Sequence, residues 1–90
     1  MKPETIKQLD IMSQVITHKG ELVRINPKDG CIEISKDGGR VWRVRYRGTA
    51  HGKFIDLTDA VTEIIATTST GVYASLDGGY VWRIRRRTHL

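Results

Sequence analysis

Residues 35 to 47 (SKDGGRVWRVRYR) laid over residues 75 to 87 (SLDGGYVWRIRRR) give nine identities in thirteen positions, at an offset of 40 residues. So close a match marks a duplication. It divides the 90-residue chain into two copies of one unit, about residues 10–50 and 51–90, within a single domain over 1–90. An offset near 40 is the length of a four-stranded antiparallel unit, which cannot bury both of its faces alone. The N-terminal parts of the halves align poorly. Even so, Leu22, Val23 and Ile25 precede the first shared segment much as Ile64 and Ile65 precede the second. A chain this short has barely enough apolar surface for an independent core.

Alternation and turn punctuation place the strands. Ile32 and Ile34 alternate with Cys31 and Glu33, Asp37-Gly38-Gly39 supplies a turn, and Trp42, Val44 and Tyr46 then alternate with Arg43, Arg45 and Arg47. The second copy reads the same way, with Val72 and Ala74, the turn Asp77-Gly78-Gly79, then Trp82 and Ile84 opposite Arg83, Arg85 and Arg87. Each copy is expected to be a hairpin with an apolar and a basic side. The NPKDG run at 26–30 predicts a turn joining strands 21–25 and 31–35, and Ser69-Thr70-Gly71 does the same between 63–67 and 72–75. With further strands near 14–17 and 53–57, each half holds four. Residues 2–12 alternatively open with a short helix, since Ile6, Leu9 and Ile11 or Met12 fit one helical face loosely. The expected class is all-β: two four-stranded antiparallel sheets.

The segments Ser35-Lys36-Asp37-Gly38-Gly39-Arg40-Val41-Trp42 and Ser75-Leu76-Asp77-Gly78-Gly79-Tyr80-Val81-Trp82 both fit S-x-D-x-G-x-x-W. This pattern resembles the Asp-box, or BNR, repeat of sialidase-like and photosystem-assembly-type β-propellers, across about 80 of the 90 residues. Physical reasons for the pattern are plain. The aspartate accepts backbone N–H groups in a tight turn, the second glycine takes φ > 0, and the tryptophan packs beneath the turn. The resemblance implies that Ser35, Asp37, Gly39 and Trp42, with Ser75, Asp77, Gly79 and Trp82, are structural and lie away from any binding site. It also implies blades, and propellers close with about four to eight of them. Two blades per chain therefore predict homo-oligomerisation about a cyclic axis: six blades as a trimer, the favoured closure, or four as a dimer and eight as a tetramer. Some two-blade lectins built as trimers are similar in length and plan, although their sugar-binding motifs are not recognisable in this chain. A compact sandwich or barrel within one chain, or a strand-swapped dimer, satisfies the same strands.

Charge is concentrated. The 15 Lys and Arg exceed the 10 Asp and Glu by five, yet residues 1–39 are balanced and residues 54–79 hold four acids and no Lys or Arg. The excess sits at Arg40, Arg43, Arg45, Arg47 and Lys53, and at Arg83, Arg85, Arg86 and Arg87. Two readings stay open. Charged strands block edge-to-edge pairing, while localised arginines attract polyanions. On the second reading Arg43, Arg45, Arg47, Arg83, Arg85 and Arg87 form an anion site for a nucleic acid, a nucleotide or an acidic glycan, with Tyr46, Tyr73 and Tyr80 as stacking surfaces.

No set of residues stands at the spacing of a catalytic or metal motif, so no enzyme, metal or cofactor is expected. His18 and His51 are expected in loops and His89 in the tail, all solvated. Asp56, Asp59 and Glu63 could pair as carboxylates, but Asp56-Leu57-Thr58-Asp59 reads better as a polar turn. Arg24-Ile25-Asn26-Pro27 has one residue too many for the Arg-Ile-Pro motif of sialidases. The lone Cys31 has no disulfide partner. No apolar run approaches the roughly 18 to 20 residues of a membrane span, and no signal-like segment opens the chain, so a soluble cytoplasmic protein is expected. The function expected is a self-assembling interaction module for a protein partner, with the anion binder as the alternative.

Overall fold

The computed structural model describes residues 14–48 and 50–87. Its strands are β1 (Val15–His18), β2 (Glu21–Ile25), β3 (Ile32–Ser35), β4 (Arg43–Tyr46), β5 (Phe54–Asp59), β6 (Ile64–Thr68), β7 (Gly71–Ser75) and β8 (Arg83–Arg87). They form two four-stranded antiparallel sheets, ordered β1-β2-β3-β4 and β5-β6-β7-β8. The all-β class expected from the sequence is what the chain adopts, and the described residues contain no helix. The alternative helix at 2–12 and His89 lie outside the described residues.

Turn chemistry explains the meander. Lys19 and Gly20 both take positive φ, at 50° and 82°, the two-residue geometry whose twist matches the strands it joins, and His18 pairs with Glu21 across it. The 26–30 turn is built on Asn26, whose Oδ1 accepts the N–H of Lys28 at 2.7 Å, while Asp29 accepts that of Cys31 at 3.1 Å. Asn26 and Asp29 thus close the β2–β3 hairpin with local side-chain bonds.

Alternation fails at one place in each of the edge strands β4 and β8. Ile32 pairs with Tyr46 but Glu33 with Val44, so Arg45 is an extra residue in β4. Val72 pairs with Arg86 but Tyr73 with Ile84, which makes Arg85 the extra residue in β8. These equivalent β-bulges re-aim the bulged side chain. The expected separation into an apolar and a basic side is therefore corrected: Arg45 is drawn inward, while Val44 and Ile84 are exposed.

Register also fixes how the sheets stack. Ile16, Val23 and Ile34 form one row of the first sheet, and Ile25, Ile32 and Tyr46 another. In the second sheet Leu57, Ala66 and Tyr73 share a row, as do Asp59, Ile64 and Ser75. The two faces meet in one core containing Ile16, Val23, Ile25, Ile32 and Ile34 with Phe54, Leu57, Ile64, Ala66, Tyr73 and Trp82. Each fully buried Val, Leu or Ile side chain in it contributes about 1.5–3 kcal/mol. Backbones approach most closely where β1 and β2 meet β5. Ser35 and Ser75 hold the same place in the repeat, and Leu22 and Ile64 lie opposite them. The row Thr17, Leu22 and Ser35, on the outer face of the first sheet, thus corresponds to Asp59, Ile64 and Ser75 on the core face of the second. The sheets stack front to back.

Candidate functional site

The two duplicated turns are built alike. Ser35 Oγ donates to Asp37 Oδ1 at 2.7 Å and accepts the Gly39 N–H at 2.8 Å, and Asp37 Oδ1 accepts the N–H groups of Arg40 and Val41, each at 3.0 Å. In the second turn Ser75 Oγ donates to Asp77 at 2.8 Å and accepts from Gly79 at 2.8 Å, with Tyr80 and Val81 donating at 3.1 and 3.0 Å. Gly39 and Gly79 sit at φ 99° and 109°, a conformation that penalises a Cβ. The Val41 N–H and the Ser35 hydroxyl hold the Asp37 carboxyl below its ordinary value. Burial works against Asp77, but the Val81 N–H and the Ser75 hydroxyl outweigh it and its value is also lowered.

The tryptophans differ. Trp82 is buried, donates its indole N–H to the Gly79 carbonyl at 2.9 Å and lies 5.2 Å from the Phe54 ring. Trp42 is only half-buried, with the Arg24 guanidinium 4.1 Å above its ring. Identical motifs thus have different surroundings, because the second sheet's core face is covered and the first sheet's outer face is not covered by any other described strand.

The six arginines expected to form one anion site divide into classes. The Arg45 side chain is 7% exposed and donates to Glu21 at 2.8 Å and to the Gly78 carbonyl at 3.1 Å, with its guanidinium 4.5 Å from the centroid of Tyr80. That hydrogen bond holds the Glu21 carboxyl below its usual range. Arg85 pairs with Glu63 in the same way but remains 51% exposed. Arg43, Arg47, Arg83 and Arg87 are exposed. The structure therefore does not gather the six into one cluster. Arg47 instead joins Lys28 and Lys53 around a cleft of about 510 Å3 between the 26–30 turn and the segment linking the sheets, beside Asn26, Asp29 and Phe54. A second groove of about 450 Å3 runs along β4.

No protein-family model matches the chain, and no curated protein or solved structure matches it significantly.

Several residues stand elsewhere than the sequence suggested. His18, expected in a solvated loop, ends β1, is 2% exposed and contacts Asp59. His51 is half-buried, stacked on Tyr46 at 5.7 Å and against Tyr73 at 4.4 Å. Asp56 to Asp59 is not a turn but the second half of β5, because the register with β6 continues to Asp59. Asp59 and Glu63 do not act as a carboxylate pair, since one faces His18 and the other Arg85. Glu21 was missed, and Glu63, weighed as a carboxylate partner of Asp56 and Asp59, holds Arg85 instead. Glu21 begins β2 and Glu63 directly precedes β6, 24 and 22 residues ahead of the arginine each holds, a relation that becomes visible only once the bulges are known. Burial pushes the Cys31 thiol up, so it is not an activated nucleophile. Among the described residues no three His, Cys, Asp or Glu side chains converge as metal ligands, and no helix is long and apolar enough to cross a membrane.

Proposed function

We propose that the chain is a non-enzymatic, self-assembling interaction module of Asp-box β-propeller type, each sheet a blade, working in the cytoplasm. Copies add head to tail until the ring closes, with the six-bladed trimer favoured over dimer or tetramer. The observation carrying this reading is the front-to-back stacking of the sheets. The buried junction joins one face of the repeat to the opposite face of the next repeat, and both remaining faces are of those same two kinds. Leu22, Trp42 and the Arg24–Glu33 pair lie on one, and Ile65, Thr67 and Val72 on the other, all but Glu33 half-buried. A heterologous contact of this sort repeats until rotation closes it. In the ring the exposed edge strands β4 and β8 and the turns face a protein partner.

Solution mass by light scattering tests the reading. A discrete multiple of 10.2 kDa is expected, and a monomer at all concentrations would remove the ring and leave a two-sheet sandwich. The anion-binding alternative has its own support in Lys28, Arg47 and Lys53 around the cleft of about 510 Å3. Its check is the salt dependence of oligonucleotide binding, which is steep where phosphates are contacted and absent where nothing binds.

A further inference from the structure

Two grooves of the molecule are one groove built twice. In the first repeat Ile34, Asp37, Val41, Arg43 and Arg45 line the groove of about 450 Å3, and Tyr80 of the other sheet forms its far wall. Forty residues on, Ala74, Asp77, Val81, Arg83 and Arg85 line a shallower counterpart of about 210 Å3, to which the first sheet contributes no residue. The difference shows in the bulged arginines. Arg45 has Glu21, the Gly78 carbonyl and the Tyr80 ring around it, whereas Arg85 has Glu63 and neither of the others.

Head-to-tail addition supplies what the second groove lacks, and this inference rests on that reading. The incoming copy brings its first turn to Arg85 as the second turn is brought to Arg45. The Gly38 carbonyl then takes the place of Gly78, and Arg40 the place of Tyr80. The two side chains leave matching turns, for the Arg40 N–H is 3.0 Å and the Tyr80 N–H 3.1 Å from the aspartate Oδ1. At the junction between copies an aromatic face is therefore replaced by a second guanidinium.

Among the described residues, each acid beside the groove already has partners of its own. Glu63 is engaged with Arg85, and Asp37 and Asp77 are engaged in their own turns. Among the described residues neither Arg83 at the groove wall nor the Arg40 side chain forms an ion pair. Cations of like sign brought together in a half-closed groove repel, and planar guanidinium forks bind phosphate bidentately. We propose that the junction between two copies is a composite oxyanion site, formed by Arg83 and Arg85 of one copy and Arg40 of the next, and that a phosphate group bound there promotes assembly. A ligand that binds only the assembled form shifts the equilibrium towards it.

The test is the protein concentration at half-assembly, by light scattering, in sodium phosphate and in sodium chloride of equal ionic strength, for wild type, Arg40→Tyr and Arg40→Gln. Both substitutions alter an exposed turn side chain, and a thermal melt checks their folding. Phosphate is expected to lower the wild-type midpoint at least tenfold, while both variants assemble alike in the two salts. A further arm replaces phosphate by a short oligothymidylate. Promotion by it alone assigns the phosphate to a nucleic-acid chain, and promotion by inorganic phosphate alone assigns it to a free anion. Equal wild-type midpoints in phosphate, oligothymidylate and chloride overturn the oxyanion site but leave the ring. A persistent phosphate requirement in both variants overturns the role of Arg40. If no form assembles in any salt, the ring reading itself fails, and the composite site with it.

Discussion

His18 Nδ1 lies 2.8 Å from Asp59 Oδ1, joining the last residue of β1 to the last of β5 across the junction of the two sheets. The histidine side chain is 3% exposed and the aspartate 40%. His18 lowers the Asp59 carboxyl below its ordinary 3.8, with the Val61 N–H assisting against burial. A carboxyl depressed in the folded state adds stability that is fully present above its unfolded value and lost as pH falls through the folded one. Thermal stability should accordingly decline below about pH 4. Asp59→Asn should flatten part of that decline while costing only about 0.5–1 kcal/mol near neutrality, since solvent screens the exposed carboxylate. Melting temperatures from pH 7 to 3 for both proteins check this, and identical acid limbs would count against the pair.

The two tryptophans should respond unequally to truncation. Trp82→Ala opens a cavity against Phe54 in the core and should cost about 3–5 kcal/mol. Trp42→Ala removes a half-buried ring and its contact with Arg24, for about 1–2 kcal/mol in the isolated chain. Urea denaturation of each variant at low protein concentration measures the difference. Equal costs would mean that Trp42 is covered as Trp82 is, and in that case the Trp42 cost should rise with protein concentration.

Four of the six hairpin turns and all eight strands could be read from the sequence, because Asp-Gly-Gly, NPKDG, Ser-Thr-Gly and period-2 apolar patterning are local signals. Boundaries moved by one or two residues at most of the eight strands, as where β5 runs on to Asp59 instead of ending in a polar turn. What could not be read depends on a second strand or sheet. The bulges at Arg45 and Arg85 break an alternation that looks unbroken along the chain, and only pairing with Glu33 and Tyr73 reveals the extra residue. His18 and Asp59 are 41 residues apart, and each alone resembles a residue of a solvated loop. Trp42 and Trp82 share a motif, so no local rule distinguishes them.

Arg45 and Arg85 form a natural control pair. Arg45→Ala leaves the partly buried Glu21 with only the Lys36 ammonium at 3.8 Å and the Gly78 carbonyl without its donor, which should cost roughly 2–3 kcal/mol. Arg85→Ala breaks a pair whose guanidinium is half exposed and which, among the described residues, has no carbonyl acceptor or ring beside it, and should cost under about 1 kcal/mol. Folding is therefore expected to tolerate charge removal on β8 but not at the bulge of β4. Thermal melts of the two variants decide it, and a larger loss for Arg85→Ala would show that the β8 bulge is covered in solution.

Gly71 opens β7 opposite Arg87 with φ 157°. A Cβ built there would stand 2.2 Å from the Arg86 carbonyl oxygen and 3.0 Å from the Arg87 Cα. Both are backbone atoms, so no side-chain rotation relieves the clash and β8 itself must shift. Gly71→Ala should therefore cost about 1–3 kcal/mol and loosen the outer strand that carries Arg83, Arg85, Arg86 and Arg87. At Gly38 a Cβ meets nothing within 4 Å, and only its φ of 79° opposes the change, for about 1–2 kcal/mol. Limited trypsin digestion separates the two effects, since cleavage within residues 83–87 should accelerate in Gly71→Ala and stay slow in Gly38→Ala. Equal protection of β8 in both variants would show that the β7–β8 pairing does not depend on the missing Cβ.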